Sequence, residues 1–117
     1  MGKLTTHVLD TAHGKPGAGI ALSLFRVHAE KLELLGRFIT NSDGRCDAPL
    51  LSDEHFACGQ YQLQFALGDY FVGLGLKLSE PRFLDIVSLQ FGISDANAHY
   101  HVPLLASPFA YSTYRGS

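Results

Sequence analysis

Tryptophan is absent, methionine occurs once, and cysteine occurs only twice, at Cys46 and Cys58. Two cysteines outside any CxxC pair form no redox motif and close at most one bridge, so free thiols in a reducing compartment are expected. Positive charge is not in excess either. Lys and Arg together number 9 against 11 Asp and Glu, for a formal charge of −2. That balance leaves no basic stripe to neutralise phosphates, and nucleic acid is not an expected partner. Long apolar runs are also missing. No stretch reaches the roughly 18 residues of a spanning helix, and "MGKLTTHVLD" lacks the apolar run of about 7–15 residues that a signal peptide carries. A cytoplasmic protein without membrane attachment is expected. A chain of 117 residues can build one hydrophobic core without metal or disulfide staples, so 1–117 is read as a single domain.

Helical periodicity is scarce, and alternation with period 2 takes its place. In "YQLQFAL" one face carries Tyr61, Leu63, Phe65 and Leu67, and in "DIVSLQFGI" one face carries Val87, Leu89, Phe91 and Ile93. Both are half-buried strands by pattern. Further strands are predicted over Leu4–Asp10, Gly19–Val27, Lys31–Thr40, His99–Leu105 and Ala110–Gly116. Turn signals "HGKPGAG", "NSDGR", "CGQ", "SEP" and "SDANA" separate them. Short strands at this spacing predict a β-sandwich, with one short helix at "GDYFVGLGL".

Few residues remain for chemistry. "HGKPGAG" lacks the GK[ST] ending of a phosphate-binding loop, and Pro16 removes one amide, so it is read as a turn. His99 and His101 lie two apart on a predicted strand and leave it on the same face, opposite Tyr100, Val102 and Leu104. Such a pair suits acid–base catalysis, a zinc site completed by His7, or an idle solvent face. His13, His28 and His55 occupy polar contexts and are read as solvated. Arg45 follows an Asp-Gly turn; pointed into a cleft, its fork of donors would suit a carbonyl or a developing oxyanion. The terminal "AYSTYRGS" alternates, with Tyr111, Thr113, Arg115 and Ser117 on one face. No GxSxG elbow surrounds Ser117, so positioning substrate or water suits it better than nucleophilic attack.

Four stretches, "LTTHVLDTAHGKPG", "SDGR", "GDYF" and "HYHVPLLASPFAYSTYRGS", resemble the transthyretin-related 5-hydroxyisourate hydrolases from Leu4 to Ser117. The closing YRGS is similar to the tetrapeptide that marks the enzyme branch of that family; the hormone-carrier branch lacks it. The resemblance implies an all-β, prealbumin-like (transthyretin-like) sandwich of two four-stranded sheets with one short helix. It implies a catalytic set of His7, Arg45, His101 and Ser117, with His7, Arg45, Tyr114 and Arg115 binding substrate, and neither metal nor cofactor. It implies a homotetramer, a dimer of dimers, with sites at the dimer–dimer interface. The implied reaction is hydrolytic opening of the six-membered ring of 5-hydroxyisourate to 2-oxo-4-hydroxy-4-carboxy-5-ureidoimidazoline in urate degradation. Three rivals stand beside it: a transthyretin-like binder of a small aromatic ligand, a zinc hydrolase built on His7, His99 and His101, and a purely structural sandwich.

Overall fold

Burial follows the alternation of the sequence. The computed structural model describes residues 2–116. It contains β1 (Lys3–Asp10), β2 (Lys15–Pro16), β3 (Ala21–His28), β4 (Lys31–Ile39), β5 (Leu51–Ser52), β6 (Gly59–Ala66), α1 (Leu67–Gly73), β7 (Ile86–Ile93), β8 (His99–Ala106) and β9 (Tyr111–Thr113). Inward positions of β6 (Tyr61, Leu63, Phe65) and of β7 (Val87, Leu89, Ile93) join those of β1 and β8 (Leu4, Val8, Tyr100, Val102, Leu104) in one hydrophobic cluster. Each large side chain taken from water there contributes roughly 1.5–3 kcal/mol.

One sheet is antiparallel throughout, in the order β4-β3-β6-β7. Its β3–β4 register shifts between Leu24 and Phe25, opposite Gly36 and Leu34. Leu35 is the extra residue of that bulge. The other sheet runs β2-β1-β8-β9, with β5 pairing the start of β1. It counts five strands where the resemblance implies four, because two strips of two residues, Lys15–Pro16 and Leu51–Ser52, pair along β1. The first strip falls inside a stretch that the sequence marks only as a turn. The centre of this sheet is the parallel pair β1–β8, in which Lys3 faces His99, Thr5 faces His101 and His7 faces Pro103.

The predicted helix forms one short element, α1, which turns Leu67, Tyr70 and Phe71 into the core. Tyr70 donates its hydroxyl proton to the carboxylate of Asp10, 2.8 Å away. Asp10 is buried at the end of β1 and also accepts from the Ala12 and His13 amides and meets His13 Nδ1 at 2.7 Å. His13 is therefore not the freely solvated residue that its polar context predicts. A buried carboxylate needs donors, and the turn after β1 returns His13 to supply two of them. Burial alone would raise the Asp10 pKa, but the hydrogen bonds from Tyr70 and His13 outweigh it and hold the carboxyl below its ordinary value. Burial and the neighbouring carboxylate push the Tyr70 phenol up. Cys46 and Cys58 are free thiols, as expected. Among the described residues no helix is long and apolar enough to cross a membrane.

The last strand is shorter than predicted. β9 stops at Thr113, and the chain leaves the ladder before Gly116 returns to bridge His101. Between these points the Arg115 guanidinium lies 4.0 Å from the centre of the Tyr100 ring. Such a contact between a cation and an aromatic face is attractive, and it ties the terminal segment to β8.

Candidate active site

The outer face of β1 and β8 gathers most of the candidate residues. Lys3, Thr5 and His7 alternate outward on β1, beside His99, His101 and Pro103 on β8. On one flank of β1, Arg45 is backbone-bridged to His7; on the far flank of β8, Gly116 is bridged to His101. Four chain segments distant in sequence thus meet on one surface. An open cavity of about 370 Å³ lies above it, lined by Lys3, Thr5, Arg45, Cys46, His99 and His101 among others. Its size suits a small ring compound.

The turn "NSDGR" sets Arg45. The side-chain oxygen of Asn41 accepts from the Asp43 and Arg45 amides, at 2.9 and 3.1 Å, closing an Asx-type turn. Gly44 then takes a φ of +76°, and a Cβ at that position would strike the Val8 carbonyl. The Gly44 carbonyl accepts from the Val8 amide at 2.8 Å, which stitches the turn to β1 and sets Arg45 beside His7.

Thr5 sets the imidazole of His101. Its hydroxyl oxygen lies 2.8 Å from His101 Nδ1 and 2.8 Å from His99 Nε2. His101 lines the cavity, and its Nε2 has no hydrogen-bond partner among the described residues. From the other side Gly116 packs so closely that a Cβ there would come within 2.7 Å of His101 Cδ2, while its amide donates to the His101 carbonyl at 2.7 Å. This glycine is a matter of space: a larger residue fits only if the ring or the terminal segment shifts.

Electrostatics favour the neutral imidazole at both histidines. The His101 pKa is lowered first by burial, then by the Arg45 charge and by His99 and His7. That of His7 is lowered by burial and then by Arg45, with Asp43 opposing through its backbone and its charge. A neutral imidazole beside a fixed cation is the equipment of a general base working next to an anion-stabilising group.

The structure therefore brings together Arg45, His7 and His101 of the residues expected at the site. His7 is bridged to Arg45 but does not itself line the cavity; Tyr114 is exposed, and Arg115 rests on Tyr100 with a long contact of 3.4 Å to the His99 carbonyl, and neither of these lines the cavity. Ser117 lies outside the described residues. Among those residues no three His, Cys, Asp or Glu side chains converge as a metal site requires, and the His7, His99 and His101 trio is not such a cluster. Thr5 and Asn41 are the functional residues that the sequence reading passes over. The Asx-turn chemistry of Asn41 is visible in "NSDG"; Thr5 carries no local signal, since its partner is 96 positions away.

Known proteins resemble this chain to different extents. A 5-hydroxyisourate hydrolase of Pseudomonas aeruginosa is 60% identical over 117 residues, covering 100% of this chain and 93% of its own. Among solved structures, an (S)-allantoin synthase superposes with a TM-score of 0.93 at 46% identity, covering 99% of this chain, which spans only 44% of that larger protein. The 5-hydroxyisourate hydrolase of Klebsiella pneumoniae superposes with a TM-score of 0.82 at 33% identity, with 100% of both chains covered. The sequence profile of the HIUase/Transthyretin family matches residues 4–116, and the chain belongs to that family.

Proposed function

We propose that this protein is a hydrolase that opens the six-membered ring of 5-hydroxyisourate, yielding 2-oxo-4-hydroxy-4-carboxy-5-ureidoimidazoline. The observation that carries the reading is the meeting of Arg45 with two imidazoles whose pKa values are lowered, His101 beside it in the cavity lining and His7 bridged to it along β1. The full-length likeness to a hydrolase of that name supports the choice of substrate.

Cleavage of the cyclic amide needs an activated water, a stabilised tetrahedral oxyanion and a proton for the departing nitrogen. In this reading His101 Nε2 takes the proton from the water, because its other nitrogen is engaged by Thr5. Arg45 binds the carbonyl and enolate-like oxygens and stabilises the oxyanion. His7, beside Arg45, holds the ring or returns the proton. Ser117 places the water or the ring, and Tyr114 and Arg115 close the site against substrate. Neither metal nor cofactor takes part.

A tetramer built as a dimer of dimers supplies the missing wall, in a cytosolic protein of one such domain. The support is the apolar surface that a lone chain leaves in water. Phe83 and Phe109 are each 71% exposed with rings 6.2 Å apart, and Tyr111 on the edge strand β9 is exposed as well. Exposed rings grouped near free sheet edges mark assembly surfaces.

The test is an ultraviolet time course of 5-hydroxyisourate generated in place by urate oxidase, with chelator present throughout. The protein is expected to accelerate the decay, and His101→Asn to lose roughly 10²–10⁴-fold in rate. Decay at the spontaneous rate with the unaltered protein would refute the activity. Light scattering on the same sample reads the assembly, and a monomer would refute the tetramer.

A further inference from the structure

We propose that Thr5 and His99 form a proton relay behind His101, so that His101 exchanges protons with the cleft without becoming a buried cation. The inference rests on the proposed hydrolase reading and extends it to two residues which that reading leaves idle.

The geometry is specific. One hydroxyl, Thr5 Oγ1, stands 2.8 Å from a nitrogen of each of two imidazoles. A threonine hydroxyl has one proton to give and two lone pairs to receive with. When it donates to His99 Nε2, it receives from His101 Nδ1–H; this is the tautomer that leaves a lone pair on His101 Nε2 for the water. When it donates to His101 Nδ1, it receives from His99 Nε2–H, and His101 carries its proton on Nε2. The two rings and the hydroxyl therefore have two matched arrangements, related by shifting two protons along one line while His101 gains a proton at Nε2 and His99 gives one up at Nδ1.

Catalysis uses both. As His101 Nε2 takes the proton of the attacking water, its Nδ1 proton passes to Thr5 Oγ1. The proton of Thr5 passes to His99 Nε2, and His99 releases a proton from Nδ1 to solvent. The reverse shift, with His99 taking a proton back from solvent, lets His101 Nε2 deliver one to the departing nitrogen. Bonds balance at each stage, and no charge accumulates on His101. That matters because burial, Arg45, His99 and His7 all oppose a cation there. His99 is suited to the outer end, being exposed where His101 is half-buried. The charged and titratable groups around the relay are Lys3 and His7 on β1, Arg45 and Asp47 on the loop after β4, and Arg115 on the terminal segment.

The experiment compares Thr5→Val, which keeps the shape and removes the hydroxyl, with Thr5→Ser, which keeps the hydroxyl, and with His99→Gln. Turnover of 5-hydroxyisourate is followed in weak and in concentrated imidazole buffer. Thr5→Val is expected to lose roughly 10–100-fold in kcat, the scale seen when partners that orient a working histidine are removed. KM should hold and Thr5→Ser should restore the rate. His99→Gln should be slow in weak buffer and recover in concentrated imidazole, which replaces the outer proton carrier. Full activity of Thr5→Val, or a His99→Gln defect indifferent to buffer, overturns the relay. The nitrogen-15 shifts of the two rings in the substrate-free protein give a reading that needs no turnover. Coupled Nδ1–H and Nε2–H populations of His101, lost in Thr5→Val with the fold intact, support the relay; identical tautomers in both proteins overturn it. Should the unaltered protein fail to turn over 5-hydroxyisourate, the hydrolase reading falls while this spectroscopic test still decides whether the linked pair exists.

Discussion

Replacing Gly116 by alanine should separate catalysis from folding. The added Cβ would stand 2.7 Å from His101 Cδ2 and 3.3 Å from His101 Cβ, where ordinary carbon contacts lie near 3.5–4.0 Å. Something must move by several tenths of an ångström or more. If the terminal segment swings away, the Gly116 amide loses its 2.7 Å bond to the His101 carbonyl, a loss of about 0.5–1.5 kcal/mol. If the imidazole turns instead, it leaves the Thr5 hydroxyl, and a working base displaced by about 1 Å costs on the order of 10²-fold in rate. Both routes disturb the site far more than the core, because Gly116 packs on the outer face of β8 and not among the buried side chains. The expected result is a melting temperature within a few degrees of the unaltered protein and a kcat reduced roughly 100-fold. Ultraviolet decay of 5-hydroxyisourate and thermal unfolding followed by circular dichroism measure the two. Unchanged turnover in Gly116→Ala would refute the close packing of this residue against an imidazole that acts as the proposed base.

Two further outcomes follow from the electrostatics. Since burial and then Arg45 lower the His101 pKa from 6.5, the neutral base persists into mild acid. The rate should be flat near neutrality and fall only as pH drops through a value below 6.5; in Arg45→Gln, slower in itself, that acid limb should move upward. A limb at or above 6.5 in the unaltered protein, or one that Arg45→Gln leaves in place, contradicts the assignment. Asp10→Asn should cost about 3 kcal/mol, since a buried acceptor with several donors is replaced by a group that also donates. For a chain of this size that lowers Tm by on the order of 10 °C. Because the Asp10 pKa is lowered in the folded state, its stabilisation is complete above the ordinary carboxylate range and fades as pH falls through the lowered value. Asp10→Asn should therefore flatten the loss of stability in acid, and an unchanged acid profile would show that the carboxylate is not the group responsible.

Alternation made the strands legible, and with them the face on which His99 and His101 stand, because a sheet with one wet side forces period 2 on its sequence. The end of the chain was less legible. Tyr114 and Arg115 lie beyond the end of β9, and the Arg115 guanidinium settles on the Tyr100 ring, a contact between distant positions that no local pattern announces. His13 was misread for a related reason. The clue was present, since Asp10 falls on the inward side of β1 with Leu4, Thr6 and Val8, and a carboxylate placed there must recruit donors. Arg45 and His7 were named through resemblance to a family; their adjacency became a physical statement only when the Asn41 turn was seen to lay one strip of chain along another. Thr5 had no signal at all, being an ordinary strand threonine until its neighbour across the sheet is known.

The parallel pairing of β1 with β8 bears on the order in which the protein can be made. β1 carries Thr5 and His7, but its partner begins at His99, so the first strand leaves the ribosome long before the strand that completes its surroundings. Until then it has beside it the two-residue strips of β2 and β5 and the Gly44–Arg45 turn, while the β3, β4, β6 and β7 sheet can assemble from neighbours in the chain. Contacts that close so large a loop form late and slowly. Catalytic competence is thus a reporter of finished folding: a nascent or truncated chain can own a complete antiparallel sheet and still have no active site.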